Sequence, residues 1–420
     1  MPSLVSHARL LPAALLLALG CATSRPAPVV PTPAPEPALT RLAPVVALVP
    51  ARPRDVGMQP DVDAQLDSIV AAAIAEGAAP GAALAVGRHG RLVVQRGYGR
   101  ADWDSAAPPV DSTTIYDLAS LTKVVATTTA AMILEEEGRL VLDSAVRHYL
   151  PELDAPDKKG ITVRMLLTHR GGLEAGAALY RTVYGRRAYL AEINRRPSRA
   201  APMTQTVYSD WDIVLLGLVV ERITQTSLDV FVEQRVFGPL GMRDTRFLPD
   251  AEHRARAAPT AVDPSRGGLL RGIVHDGNAW AIGGVSGHAG LFSTARDLAI
   301  FAQMLLNGGR YDTVRILKPQ TVARWTAPQG GEASRALGWD TPAPRSSAGR
   351  YFSPRSFGHT GFTGTSIWID PERGLFVVLL ANRVSSRGTS ERHVPLRRAV
   401  ADAVQASILD APLIEWEARP

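Results

Sequence analysis

The apolar positions of this chain fall into two kinds of run, and each predicts its own element. Residues 124–134 are dense in Ala, Val, Thr, Met, Ile and Leu and close on Glu135-Glu136-Glu137-Gly138. Gly138 reads as a helix stop, so the pattern predicts one buried helix over 119–137. Residues 211–224, 228–236 and 295–306 also show apolar side chains at helical spacing. Residues 81–87 and 91–97 are shorter runs joined at Arg88-His89-Gly90, and 366–370 with 375–381 repeat the arrangement, so both pairs read as hairpins. The hairpins come from opposite ends of the chain and are expected to join one antiparallel sheet. A final helix over about 396–409 should pack on that sheet. The fold class expected is α+β: an antiparallel sheet flanked by helices, with an inserted, mostly helical lobe over about 125–310. A cleft between sheet and lobe is where a pocket would form. No internal repeat is evident.

The N-terminal pattern is different. His7 and Arg9 precede an apolar stretch from Leu10 to Gly20, too short to span a bilayer as a mature helix. Ala18-Leu19-Gly20-Cys21 follows a bacterial lipoprotein cleavage pattern, which makes 1–20 a signal peptide. Cys21 is the only cysteine, with no partner for an intrachain disulfide, so lipidation is its most economical role; an ordinary secretory signal is the alternative. Residues 21–60, rich in Pro and Ala, read as an extended tether, and 61–415 as the folded domain. The expected place is the periplasmic side of the envelope, on a lipid anchor. Ala22 after Cys21 resembles lipoproteins sorted to the outer membrane.

Composition suits a folded body, at 46% hydrophobic and 20% charged. The net charge of +6 becomes +5 once the signal takes away Arg9 (6 minus 1). The arginines are scattered, with pairs such as Arg195-Arg196 and Arg397-Arg398 and no long basic run, so no nucleic-acid partner is expected. Of the 46 basic residues only four are lysines, at 123, 158, 159 and 318. Lys123 is the one set in an apolar helix, and lysine, unlike arginine, can give up its proton when desolvated.

That lysine stands in Ser120-Leu121-Thr122-Lys123. Residues three apart share a helix face, so the Ser120 hydroxyl and the Lys123 amine can meet, and the helix N-terminus offers unpaired N–H groups to a developing oxyanion. Serving as a base near pH 7 would require the Lys123 pKa to fall by about three units, or roughly 4 kcal/mol. Alone, Ser-x-x-Lys is a weak signal. Two further clusters strengthen it: Tyr208-Ser209-Asp210 and His359-Thr360-Gly361.

In this order the three motifs resemble the active-site triplet of the serine β-lactamase and penicillin-binding-protein superfamily, in its class C β-lactamase-related branch of carboxypeptidases and esterases. Ala79-Pro80-Gly81-Ala82-Ala83, Leu166-Leu167-Thr168-His169 and residues 287–294 look like the same family, and the likeness runs from about 60 to 405. The resemblance implies a β-lactamase/transpeptidase-like fold, Ser120 as nucleophile, Lys123 as its proton partner, and Tyr208 as the general base that later protonates the leaving group. It places the oxyanion hole at the N–H groups of Ser120 and Phe362, with Asp210, His359, Thr360 and Gly361 around the substrate.

Two departures bear on the substrate. Asp210 stands where the family's commonest second motif has Asn; it cannot donate to a substrate carbonyl when ionised and should pair with Lys123. His359 stands where class C β-lactamases carry lysine, and a mostly neutral histidine attracts a carboxylate less. The resemblance therefore implies an acyl-enzyme hydrolase acting on a D-Ala-D-Ala type cell-wall peptide or a small ester. The alternatives are a class C-like β-lactamase and a catalytically silent peptidoglycan-binding lipoprotein. No cofactor is expected. Gly284-Val285-Ser286-Gly287-His288 lacks the final glycine of a nucleophile elbow and should shape a cleft wall. His275-Asp276 and His288 lack metal-site spacing, and no metal is expected. The loops at 174–198 and 329–356 should decide specificity.

Overall fold

The structure, a computed structural model, describes residues 47–330, 335–343, 346–385, 387–388 and 390–415. The expected signal peptide, Cys21 and most of the segment read as tether lie outside the described residues.

Six strands form the main sheet: β1 (Val49–Pro50), β2 (Gly81–Arg88), β3 (Arg91–Gly99), β4 (Phe357–Thr360), β5 (Ser366–Asp370) and β6 (Leu375–Ala381), in the spatial order β1-β3-β2-β6-β5-β4. The two predicted hairpins are β2–β3 and β5–β6, and β2 pairs with β6 so that the chain's two ends share the sheet's centre. His89 and Gly90 take φ of 50° and 75°, two left-handed residues in succession, which is the turn whose twist matches a two-residue hairpin. Both faces of the central strands are covered, which is why these strands read as continuous apolar runs rather than alternating ones. Ala82, Leu84 and Val86 pack with Leu66 and Val70 of the N-terminal helix Val62–Ala75 and with Leu396, Val400 and Val404 of the C-terminal helix His393–Ala406. Ala83 and Ala85 belong to the core on the opposite face.

Four expectations are corrected. The sheet is antiparallel except at its edge, where β1 runs parallel to β3. That strand lies in the segment read as tether: Val56 and Met58 are buried, and the Gln59 N–H donates to Ser407 O at 2.7 Å, so the folded body already includes 47–60. A Pro/Ala-rich composition does not prevent this, because Pro is tolerated on an edge strand. The helix Ala295–Leu306 packs against the sheet, sharing a core with Val378 and Leu380, so the inserted lobe ends before it. The final helix spans His393–Ala406 rather than 396–409: Pro395 sits in its first turn, where a missing N–H does no harm, and Ile408 leaves the helix to bridge Met58.

Within the lobe, the helix Asp210–Thr224 buries Trp211, Ile213, Val214, Leu215, Leu216, Val219 and Val220. The helix from Leu228 to Val232 continues with π geometry to Phe237. The lobe also contains a ladder the apolar pattern did not show, in which Leu291–Ser293 lies between Tyr116–Asp117 and Arg246–Phe247. Two-residue strands are too short to carry a period.

Candidate active site

The predicted helix at 119–137 is a composite: a 3-10 turn Ala119–Leu121, a π segment Lys123–Thr128 and an α-helix Thr129–Glu136, stopped by Gly138 at φ 72°. Ala119, just before the serine, holds φ 47°, a left-handed conformation that strains a non-glycine residue by about 1–2 kcal/mol. This geometry aims Ser120 at the cleft and brings the Lys123 Nζ to 2.8 Å from its Oγ. Lys123 also donates to His288 O at 3.2 Å. Gly287 makes that contact possible: a Cβ there would stand 2.1 Å from Ile213 O of the central lobe helix.

The electrostatics revise the role first read for the lysine. Burial works against the Lys123 charge, but the Asp210 carboxylate, 2.8 Å from Nζ, and the Tyr208 hydroxyl outweigh it and raise the pKa above that of an ordinary lysine. The three-unit fall that a basic amine would require does not occur, because Asp210 supplies a counter-anion that stabilises the ammonium. Asp210 does pair with Lys123, as its replacement of Asn suggested. Tyr208 hydrogen-bonds both Lys123 and Ser120, and its ring centroid lies 4.9 Å from Nζ. Burial raises its pKa, the Lys123 charge lowers it, Asp210 raises it again, and the net shift is upward. The site can therefore hold a permanent ammonium beside a hydroxyl and a phenol that exchange protons.

His359, Thr360, Gly361 and Phe362 line the same cavity of about 690 Å³ as Ser120, Tyr208 and Asp210. His359 is buried, donates from Nδ1 to Thr360 O at 2.8 Å, and has its pKa pushed down to about 4 by burial, with Asp340 opposing and the Arg335 and Lys123 charges assisting. It is neutral at pH 7, as expected of a histidine and reinforced here by burial. Gly361 admits no side chain: a Cβ would lie 2.0 Å from Thr365 Oγ1 and 2.4 Å from Leu118 O. Phe362 is exposed at the cleft mouth, stacked on His275 at 5.8 Å and covered by the Arg383 guanidinium at 4.2 Å.

Several cleft residues were not anticipated. Asp117 sits behind the nucleophile, and Thr363 and Thr365 fasten the third motif to it: Thr363 Oγ1 donates to Asp117 O at 2.7 Å and Thr365 Oγ1 to Leu118 O at 3.0 Å. The signal was available in the spacing Thr360-x-x-Thr363-x-Thr365, but it says nothing about partners. From the two loops expected to set specificity, Tyr180 and then Arg335 and Asp340 reach the cleft, with Arg335 5.3 Å from the Tyr208 ring centroid. Arg397 lies in the cavity wall, buried, donating from Nη2 to Gly361 O and Thr365 O at 2.7 Å each. Burial and the nearby Arg383 push its pKa down to about 9.

Of the glycine-rich 284–288 segment, expected to shape a cleft wall, only His288 lines the cleft, while Val285, Ser286 and Gly287 line a separate small pocket. His288 joins Ser286 Oγ at 2.8 Å through Nδ1 and Asp276 Oδ1 at 3.0 Å through Nε2, with Ser286 turned away from the cleft. Among the described residues, Asp210, Asp276 and His288 bring ligand-type atoms within 4.8 Å of one another, but Asp210 already answers Lys123 and Asp276 answers His288.

A serine, an ammonium and a phenol joined by hydrogen bonds in a cleft between a sheet and a helical lobe define a serine hydrolase of the acyl-enzyme type. Residues 66–402 match the Beta-lactamase family, and the chain belongs to it. A relative from Escherichia coli K12 bearing the provisional name D-alanyl-D-alanine carboxypeptidase is 34% identical over 345 residues, covering 73% of this chain and 79% of its own length. Two solved structures share the fold. EstCE1, a hydrolase with promiscuous acyltransferase activity, aligns with a TM-score of 0.66 at 23% identity over 81% of this chain and 98% of its own. A penicillin-binding protein homolog from Caulobacter crescentus aligns with a TM-score of 0.66 at 22% identity over 83% and 99%.

Proposed function

We propose that the chain is a carboxypeptidase of the D-alanyl-D-alanine type working through an acyl-enzyme on Ser120. The observation that carries this reading is Arg397: its charge lines the cleft, its hydrogen bonds go to backbone carbonyls, and its Nε has no hydrogen-bond partner among the described residues. Among the described residues Arg397 has no salt bridge, and the Glu391 carboxylate that acts on it is paired with Arg383; a buried cation held this way suits a substrate that brings its own carboxylate, as a peptide's C-terminus does. The name borne by the Escherichia coli relative supports the same substrate.

In the reactive form the Lys123–Tyr208 pair has lost one proton, leaving an ammonium beside a phenolate. Ser120 Oγ attacks the carbonyl carbon and gives its proton to Tyr208. The N–H groups of Ser120 and Phe362 receive the oxyanion. The C–N bond then breaks, and Tyr208 returns the proton to the leaving amine. Water repeats the sequence on the ester. Lys123 stays charged throughout, stabilising the phenolate.

A second reading, hydrolysis of a small ester, is favoured by the neutral His359 at the head of the third motif. The anchoring proposed from Cys21, and with it a place at the outer membrane, rests on the N-terminal sequence pattern; among the described residues no helix is long and apolar enough to cross a membrane.

The test is labelling of the purified mature chain with a fluorescent penicillin, wild type against Ser120→Ala. A lasting Ser120-dependent band supports the carboxypeptidase. Intact penicillin with no band moves the assignment to the esterase, and rapid penicillin turnover to a β-lactamase. Ser120→Ala should lose on the order of a million-fold in turnover, and full activity in that variant would overturn the nucleophile.

A further inference from the structure

Among the described residues Asp117, which belongs to none of the three motifs, forms no hydrogen bond to Ser120, Lys123 or Tyr208, yet it is tied to both halves of the proposed oxyanion site. Its Oδ1 accepts the Ala119 N–H at 2.9 Å, fastening the residue whose φ of 47° aims Ser120. Its Oδ2 accepts the His275 N–H at 2.6 Å, and the His275 ring stacks beneath Phe362. Its own carbonyl takes the Thr363 hydroxyl from the segment carrying Phe362. The side chain is only 2% exposed, and burial pushes its pKa up to about 6. A carboxylate is kept here against its desolvation, where a buried apolar residue would incur no such penalty.

We propose that Asp117 is a positioning residue for acyl transfer, holding the N–H groups of Ser120 and Phe362 in register with one another through its two backbone hydrogen bonds. The inference rests on Ser120 as the nucleophile. Both carboxylate oxygens are needed as acceptors, because the two N–H donors come from different segments: one from the nucleophile turn, one from the 275–276 turn of the lobe. An asparagine fits the space but offers one acceptor and turns a donor toward the other N–H. Whichever of the Ala119 and His275 N–H groups faces the amide nitrogen loses its acceptor, and Ser120 shifts relative to Phe362. Misplacement on the scale of 1 Å lowers acyl transfer by about a hundredfold.

The experiment uses the full chain, wild type, Asp117→Asn and Ser120→Ala, with a p-nitrophenyl ester as substrate and a fluorophosphonate to titrate competent sites. Asp117→Asn should lower kcat per titrated site by about a hundredfold with KM within about twofold, a split that partial unfolding would not produce because unfolded molecules are not titrated. A per-site kcat within about threefold of wild type would overturn the proposal. If Asp117→Asn does not fold, Asp117→Ser leaves a hydroxyl that can accept from at most one of the two N–H groups at a time. It should lower per-site kcat by about tenfold, roughly one lost hydrogen bond's effect, and an unchanged value refutes the inference. Fluorophosphonate labelling of Ser120→Ala equal to wild type would instead show that the nucleophile assignment has failed, whatever Asp117 does.

Discussion

Asp210→Asn should move the acid limb of kcat/KM toward lower pH. The reactive form requires the Lys123–Tyr208 pair to lose one proton, and Asp210 raises the pKa of both members. Two unit charges about 3 Å apart attract by about 6 kcal/mol at an effective dielectric near 20. The Asp210 side chain is 28% exposed to cleft water, so a smaller effect, about 1.5–3 kcal/mol, is expected to survive screening. That corresponds to about one to two pKa units. The sign follows from the charge: neutralising the carboxylate removes the anion that stabilises the ammonium and opposes the phenolate, so the pair deprotonates more readily. The wild-type enzyme should gain activity steadily into the alkaline range, and Asp210→Asn should reach its plateau one to two units earlier. The assay is hydrolysis of a p-nitrophenyl ester from pH 5 to 10, corrected for spontaneous hydrolysis, and the position of the limb is read rather than its height. An unmoved limb, or one displaced to higher pH, refutes the assignment of Lys123 as a cation fixed by Asp210.

His359 should make the fold sensitive to acid. Its pKa is pushed down to about 4 in the folded state against about 6.5 unfolded, so the unfolded chain binds more protons between those values. The contribution is present above pH 6.5 and is lost as pH falls toward 4, amounting to about 3 kcal/mol; urea unfolding of His359→Gln should show a correspondingly flatter dependence over that window, and an identical slope would count against it. Arg397→Gln should raise KM for a D-alanyl-D-alanine peptide by about tenfold or more, a charge-assisted hydrogen bond's worth, while KM for a neutral ester changes little. Equal effects on both substrates would remove the carboxylate role.

The regular elements and the three motifs were legible in the sequence because each is a local property. The hairpin β5–β6 falls on the predicted residues, and Ser120 and Lys123 meet because three residues make nearly one helical turn. The Tyr208 and His359 clusters were placed with them by resemblance alone, since nothing in their own spacing says that positions some 90 and 240 residues away converge. The edge strand at Val49–Pro50 was hidden by its composition, because a two-residue strand is specified by its partner. Asp117 and the threonines at 363 and 365 were missed for the same reason: their roles are bonds to backbone atoms of distant segments.

By itself the sequence determined the fold class through its periodicity, the meeting of Ser120 and Lys123 through their spacing, and the family through the resemblance that its motifs carry. The charge state of the site was decided by tertiary structure. Lys123 reads in sequence as a buried amine that ought to lose its proton. Only folding sets Asp210 2.8 Å away, with Tyr208 beside it, and a pKa depends on the distance between charges, which the order of residues along a chain does not contain.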